Sequence, residues 1–335
     1  MQVIVVSQQQ VRRLLPMAEC IEVMAGALET LARDGAINPL RSALLLPGKI
    51  GLLGMMPSFL EEPPAVGIKV VTVFPGNHGT RFDAHQGAVL LFETRNGCLL
   101  AIIDASEITA IRTAAVSGLA TRLLAREEAA DLAILGTGVQ ARTHLQAMLA
   151  ARPLRRVRVW SRNPEHVRAF AERQSTRHGI EVEAATSARQ AIEGADIICT
   201  TTSSKEPVLE GEWLSVGAHI NAVGSSIRST RELDTDAVVR SRLFVDRRKF
   251  TVNEAGDFLF PKQEGAIDDA HIRGEIGEIL LGRCRGRESN DEITLFKSLG
   301  LAVEDLAAAH HVYQKAVETG LGTRIDFGGS AVEDD

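Results

Sequence analysis

The sequence predicts an α/β protein built on a doubly wound parallel sheet, preceded by an α+β region. Three observations carry this reading. From Asp131 to Asp246, short apolar runs alternate with helical stretches, and parallel strands need such crossover connections. Gly136-Thr-Gly-Val-Gln-Ala141 stands between a strand-like run and a helix-like run, the setting of a G-x-G-x-x-G/A dinucleotide turn. Asn96-Gly97 lies between two further apolar runs and signals a hairpin, hence antiparallel pairing.

Taken in order, Met17–Asp34 has the spacing of an amphipathic helix. Ala43–Pro47, Ile68–Phe74, Gly87–Glu93 and Leu99–Asp104 read as strands. Asp131-Leu-Ala-Ile-Leu135 is a short, wholly apolar strand ending on the glycine turn, and the helix beyond it includes His144–Ala151. Val157–Ser161 is the second strand, with a helix over Pro164–Arg177. Val182–Ala185, Asp196–Thr201, His219–Val223 and Arg242–Asp246 follow as strands three to six. Helical stretches near Ser187–Glu193 and Glu232–Ser241 separate some of them. These units place a Rossmann domain at about 114–300. Val303–Thr319 is a further helix, and Gly328–Asp335 reads as a disordered tail.

Each position of the turn has a physical task. Gly136 permits the tight bend, and Gly138 lets backbone approach a pyrophosphate. Ala141 allows the helix to pack closely on the strand. Thr137, Val139 and Gln140 complete the turn, and the helix start offers free N–H groups to phosphate. The end of the second strand bears on cofactor choice. An acid there accepts from a ribose 2′-hydroxyl and repels a 2′-phosphate, and here the residues are Ser161, Arg162 and Asn163. Ser161 and Arg162 suit a 2′-phosphate, which favours NADPH while leaving NADH open. Asn163 has a second explanation as the cap before Pro164, and Arg162 as a solvated side chain.

Composition narrows the function classes. The 335 residues suit about two domains; 45% are hydrophobic and 24% charged. A formal charge of −6 gives no electrostatic footprint for nucleic acid. Arg152, Arg155, Arg156 and Arg158 cluster, yet only Trp160 is an aromatic among them, so they read as a solvated basic edge. The four cysteines form no CxxC pair, which argues against a zinc site and suits reduced thiols in a cytoplasmic protein. No metal site is expected. The N-terminal residues lack the order of a secretory signal, and no apolar run is long enough to span a membrane.

Three cations have informative settings. Lys69 interrupts the apolar run Gly67–Val71. Arg112 precedes Thr113–Gly118 at what reads as a helix start, where a cation is mildly unfavourable. A guanidinium so placed suits the bidentate holding of a carboxylate. Arg41, just after Asn38-Pro39-Leu40, reads alone as an ordinary surface arginine. His85 is either a proton donor or a hydrogen-bonded strand end, and His310-His311 read as surface residues.

The chain resembles the ornithine cyclodeaminase/μ-crystallin family over nearly its whole length. The resemblance is carried by Ile68–Val71, Ala84–Phe92, Ile111–Ser117, Leu135–Ala141, Asn221–Ser226 and Asp291–Ser298. It implies that the Rossmann domain, 114–300, is inserted in an α+β domain formed by 1–113 and 301–335. That domain would bind substrate and form a homodimer, with the active site in the cleft. By the same pattern Arg41, Lys69 and Arg112 would hold the substrate carboxylate or its neighbouring carbonyl or imine. Thr80 and the glycine turn would contact the dinucleotide.

One departure bears on activity. Cyclodeaminases and archaeal alanine dehydrogenases of the family carry an aspartate two residues after the glycine of the Val-Gly pair. Here Gly224 is followed by Ser225 and Ser226, and a serine cannot act as an ionised base near neutral pH. Members with serine there resemble cyclic ketimine reductases. The expectation is therefore NAD(P)H-dependent reduction of a small anionic imino acid, Δ1-pyrroline-2-carboxylate or Δ1-piperideine-2-carboxylate, to L-proline or L-pipecolate. Lys69 and Ser226 would be the catalytic groups. The alternatives are an ornithine cyclodeaminase or amino-acid dehydrogenase of the same family, and a crystallin-type protein that only binds NADPH and a small ligand.

Overall fold

The computed structural model describes residues 2–77 and 80–328; the expected disorder of 329–335 lies outside them. The chain divides into two compact units, one running up to Arg112 and resuming at Leu301, the other Thr113–Gly300.

The first unit opens with β1 (Gln2–Val6), α1 (Gln8–Leu14) and α2 (Met17–Ala32). In α2, Cys20, Ile21, Met24, Ala27, Leu28 and Leu31 are buried, the stripe expected of an amphipathic helix. There follow β2 (Ala36–Ile37), β3 (Ser42–Leu45), β4 (Leu52–Leu60), β5 (Ala65–Val73), β6 (His85–Phe92) and β7 (Leu99–Asp104). The helix α3 (Ala105–Leu124) comes next, and the division falls within it.

Strands β4 to β7 form an antiparallel meander. The β6–β7 link contains Asn96-Gly97, and Gly97 has φ +73°, the left-handed backbone that favours glycine. Sequence periodicity misses β4 because Gly54 and Pro57 interrupt it. Pro57 lies between the stretches of β4 that pair with β3 and β2, where its missing N–H costs no bond on that side.

The second unit contains β8 (Asp131–Leu135), α4 (Val139–Ala151), β9 (Arg156–Trp160), α5 (Pro164–His178) and β10 (Val182–Ala184). It continues through α6 (Ala188–Ile192), β11 (Ile197–Thr200), β12 (His219–Ala222), α7 (Thr235–Val239) and β13 (Ser241–Val245). Last come α8 (Arg248–Glu254), α9 (Gly256–Gln263), β14 (Ile272–Glu275), α10 (Ile276–Leu280) and β15 (Ile293–Lys297).

All pairs in this sheet are parallel, in the order β10-β9-β8-β11-β12-β15-β13-β14. The direction of winding reverses between β8 and β11, the switch point where such sheets bind ligands. The six strands read from sequence stand where expected. Sequence reading misses the seventh and eighth, and β15 enters between β12 and β13. Its Thr294 and Lys297 are buried and break the apolar run that marks a central strand.

The basic cluster also differs from its reading. Arg155 is 73% exposed and faces Asp131. Arg158 is only 8% exposed and donates to the Gln190 and Glu193 carbonyls. Arg152 donates to carbonyls of Thr121, Arg122 and Ala125 at the end of α3, satisfying acceptors that a helix terminus leaves open.

The chain then returns to the first unit with α11 (Ala302–Thr319) and β16 (Thr323–Asp326). Its sheet runs β16-β1-β7-β6-β5-β4-β2, with β3 also on β4. Helix α11 packs on α2 and on β4, β5 and β6. Val303, Leu306, Ala309 and Val312 are its buried face, and Gly320 ends it with φ +69°. Asn38 Oδ1 accepts from the Val303 N–H at 2.9 Å, a cap supplied from elsewhere in the unit.

Candidate functional site

Two groups of candidate residues emerge, one in each unit. In the first unit, β5 projects Lys69 into the interior, where it is 4% exposed. Its Nζ lies 2.6 Å from Asp305 Oδ2 and donates to Thr109 Oγ1 at 3.3 Å. Arg112 stands in the middle of α3 rather than at a helix start, because Ala105–Ile111 are already helical. It is 4% exposed, and the carboxylates it holds are the protein's own. Its Nε donates to Asp305 Oδ1 at 2.7 Å and its Nη1 to Glu304 Oε2 at 2.9 Å.

Glu304 and Asp305 are the site residues that sequence reasoning missed. Acids in a first helical turn read as complements to the helix dipole. The available signal was spacing: Glu304 shares the face of Leu301 and Ala308, both fully buried.

Burial lowers the Lys69 ammonium to about 8, opposed by Asp305 and reinforced by Arg112 and Arg41. The other two expected cations therefore both act on Lys69. Arg41 is half-buried. For Asp305, burial pushes the carboxyl up, but Arg112 and Lys69 outweigh it and hold the group below the usual carboxylate range. Thr80, exposed, helps build its own turn: its hydroxyl donates to the Asn77 carbonyl at 2.8 Å and accepts from the Phe82 N–H at 3.1 Å.

In the second unit the glycine turn follows β8 at the switch point. Gly136 has φ +126°, and a Cβ there would lie 2.6 Å from Thr201 Oγ1 and 2.9 Å from the Thr201 carbonyl, so glycine is required. At Gly138 a Cβ would meet nothing within 4 Å. That open space lets a ligand approach the backbone, and Gly138 itself caps α4 with no side-chain bond to the first N–H groups. These features fit a dinucleotide pyrophosphate. Thr137 Oγ1 donates to Ser161 Oγ at 3.3 Å, linking the turn to the end of β9. Arg162 is exposed. Asn163 does cap α5, accepting from the Glu165 N–H at 2.9 Å.

Behind the turn, His144 is fully buried. Its Nδ1 faces the Gln140 carbonyl at 2.8 Å and must donate there, so Nε2 accepts from the Ser117 hydroxyl at 2.9 Å. Burial lowers this imidazole to about 4, against the bond to Gln140, and the ring is neutral.

Ser226 is half-buried on the loop after β12, and a buried ionic frame fixes that loop. Lys297 Nζ pairs with Asp257 at 2.9 Å and donates to the Ala222 and Ser225 carbonyls. Glu232 accepts from the Gly224 N–H at 2.7 Å, from Thr202 N–H and hydroxyl at 2.6 Å, and from the Thr200 hydroxyl at 2.8 Å. Burial and then Asp257 push the Glu232 carboxyl up, while Thr202, Lys297 and Thr200 oppose them. Among the described residues, no cluster of His, Cys, Asp and Glu could hold a metal ion, and no helix is long and apolar enough to cross a membrane.

Known proteins share this architecture. The sequence model of the ornithine cyclodeaminase/mu-crystallin family matches residues 1–320. A Delta(1)-pyrroline-2-carboxylate reductase of Bacillus cereus is 39% identical over 325 residues, covering 97% of this chain and 100% of that protein. The structure of Thermococcus litoralis Delta(1)-pyrroline-2-carboxylate reductase, in complex with NADH and L-proline, aligns with a TM-score of 0.93 at 41% identity. It covers 96% of this chain and 99% of that one. An archaeal alanine dehydrogenase dimer with bound NAD aligns with a TM-score of 0.92 at 30% identity, over 98% and 100% of the two chains.

Proposed function

The chain belongs to the ornithine cyclodeaminase/mu-crystallin family, and on that footing we propose that it reduces cyclic imino acids with a nicotinamide dinucleotide. The substrate is Δ1-pyrroline-2-carboxylate or its six-membered homologue, and the product L-proline or L-pipecolate. The observation that carries this is near-full-length kinship to a reductase whose structure holds NADH and L-proline.

The reduced nicotinamide supplies a hydride when bound. The rest is the work of the protein's own residues. Lys69, Arg112 and Arg41 take the substrate carboxylate, which Lys69 and Arg112 must bind while they keep Asp305 and Glu304, and so offset the hydration it loses on burial. Ser226 hydrogen-bonds the ring nitrogen, held by the Glu232 and Lys297 frame. The turn Gly136–Gln140 binds the pyrophosphate, Thr80 supports the dinucleotide, and Ser161 with Arg162 recognises a 2′-phosphate. NADPH is thus preferred, with NADH as second choice.

We also assign a cytoplasmic homodimer. Its support is the apolar edge of the first unit's sheet, where Ile37, Leu44, Leu45 and Ile50 are 56–75% exposed, together with the dimeric alanine dehydrogenase.

The test is a set of parallel assays on a sample whose mass in solution is also measured. Oxidation of NADPH by Δ1-pyrroline-2-carboxylate, from a dimer, is expected. Ammonia release from L-ornithine, or oxidation of L-alanine with NAD, at a rate exceeding imine reduction would overturn the reading. Binding of NADPH without any turnover would do the same, and a monomer would remove the dimer.

A further inference from the structure

We propose that Asp305 is the positioning residue that keeps the Lys69 ammonium charged and aimed, so that the site retains its grip on a carboxylate at mildly alkaline pH. The proposal rests on the reductase reading above. Asp305 bridges the two buried cations, with one oxygen 2.6 Å from Lys69 Nζ and the other accepting from Arg112 Nε at 2.7 Å. Glu304 takes Arg112 Nη1 at 2.9 Å. All four side chains are at most 5% exposed.

The logic is one of unequal cations. Arg112 and Arg41 each repel Lys69, and burial penalises the charge it carries. A guanidinium does not release its proton in a protein, whereas an ammonium does. Lys69 is therefore the group that yields. The groups acting on it come from every side. Arg112 lies on α3, Arg41 precedes β3, and Asp305 and Glu304 lie on α11. Cys20 on α2 faces Arg112 and Glu304, and burial pushes its thiol up, so it stays neutral. Asp305, 2.6 Å away, is the acid that raises Lys69 directly.

Lys69 touches the substrate in this scheme; Asp305 acts only through it.

The experiment is the pH profile of kcat/KM for Δ1-pyrroline-2-carboxylate with saturating NADPH, over about pH 6 to 9. In the parent enzyme kcat/KM falls above a midpoint near 8. In D305N the midpoint moves down by about one unit or more, so the variant trails about fivefold or more at pH 8 and approaches the parent at pH 6. The loss is in KM. The substrate's own imine titrates identically in both, so the difference belongs to the protein. In K69R the charge persists, so the Lys69 part of the alkaline limb disappears and only the imine's own titration, measured on the free substrate, is left. D305E, which keeps a carboxylate, returns the parent's midpoint and supplies a second test if D305N fails to fold. An unchanged limb in K69R, or coincident profiles of a folded D305N and the parent, would overturn the proposal and leave the reductase reading intact. A parent enzyme that reduces no cyclic imine would overturn the reductase reading itself.

Discussion

On the proposed reading, Arg162 is the exposed side chain that decides the cofactor. It stands at the end of β9, where an acid would repel a 2′-phosphate and where Ser161 is tied to the glycine turn. Replacing Arg162 with Asp should shift relative efficiency toward NADH by about tenfold or more, since a charge-assisted contact is lost and a repulsion gained. Steady-state kinetics with both cofactors checks it; a parent and variant that use both equally would remove Arg162 from the cofactor site. Residues of this kind are legible in sequence because their surroundings make them odd. Lys69 is conspicuous within an apolar strand. Arg112 stands out in the sequence for a wrong reason, a helix start that proves to be mid-helix. Their partners Glu304 and Asp305 are hidden, because an acid early in a helix has an ordinary explanation and tertiary pairing leaves no local mark.

At the scale of elements, α11 carries more than an apolar face. Its first turn brings two carboxylates to two cations from β5 and α3. Removing Glu304 leaves the buried Arg112 guanidinium only the carboxylate it shares with Lys69 from this turn, and breaking into such a buried network costs about 3 kcal/mol. Glu304→Ala should therefore lower thermal stability sharply, whereas a surface truncation such as Glu318→Ala should change it little. Calorimetry of the two variants checks this, and equal melting temperatures would show that the pair contributes nothing. The elements themselves are legible where periodicity is clean, as in α2 and β8 to β13. They are not where a strand carries polar or breaking residues for tertiary reasons. Lys297 in β15 answers to Asp257, and Pro57 in β4 sits in a gap between neighbouring strands, and neither constraint is local.

For the molecule as a whole, the α/β class follows from alternation and the glycine turn, and the position of β15 between β12 and β13 does not. Global stability should also respond to acid through buried histidines. His144 is held down near 4 by burial, and His219 near 3 by burial and then Arg287, with Asn221 opposing. Both are neutral when folded and free to protonate near 6.5 when unfolded. The folded state then binds fewer protons, so stability is full above about pH 6.5 and falls as pH drops toward 4 and 3. At pH 5 the loss is roughly 2 kcal/mol per histidine. Denaturant unfolding at pH 7 and 5 measures it, and His144→Gln should flatten the slope. A pH-independent midpoint in the parent would contradict the buried neutral pair.

The return of the chain at Leu301 has a temporal consequence. Arg112 and its partner Glu304 are 192 residues apart in sequence. At about 5–20 residues per second, the ribosome leaves Arg112 without that counter-charge for roughly 10–40 s. All strands of the second unit emerge within that interval. The first segment to be synthesised is thus the last able to complete its interior. For those seconds its strands wait as an unfinished sheet, the state in which a nascent chain most needs a chaperone.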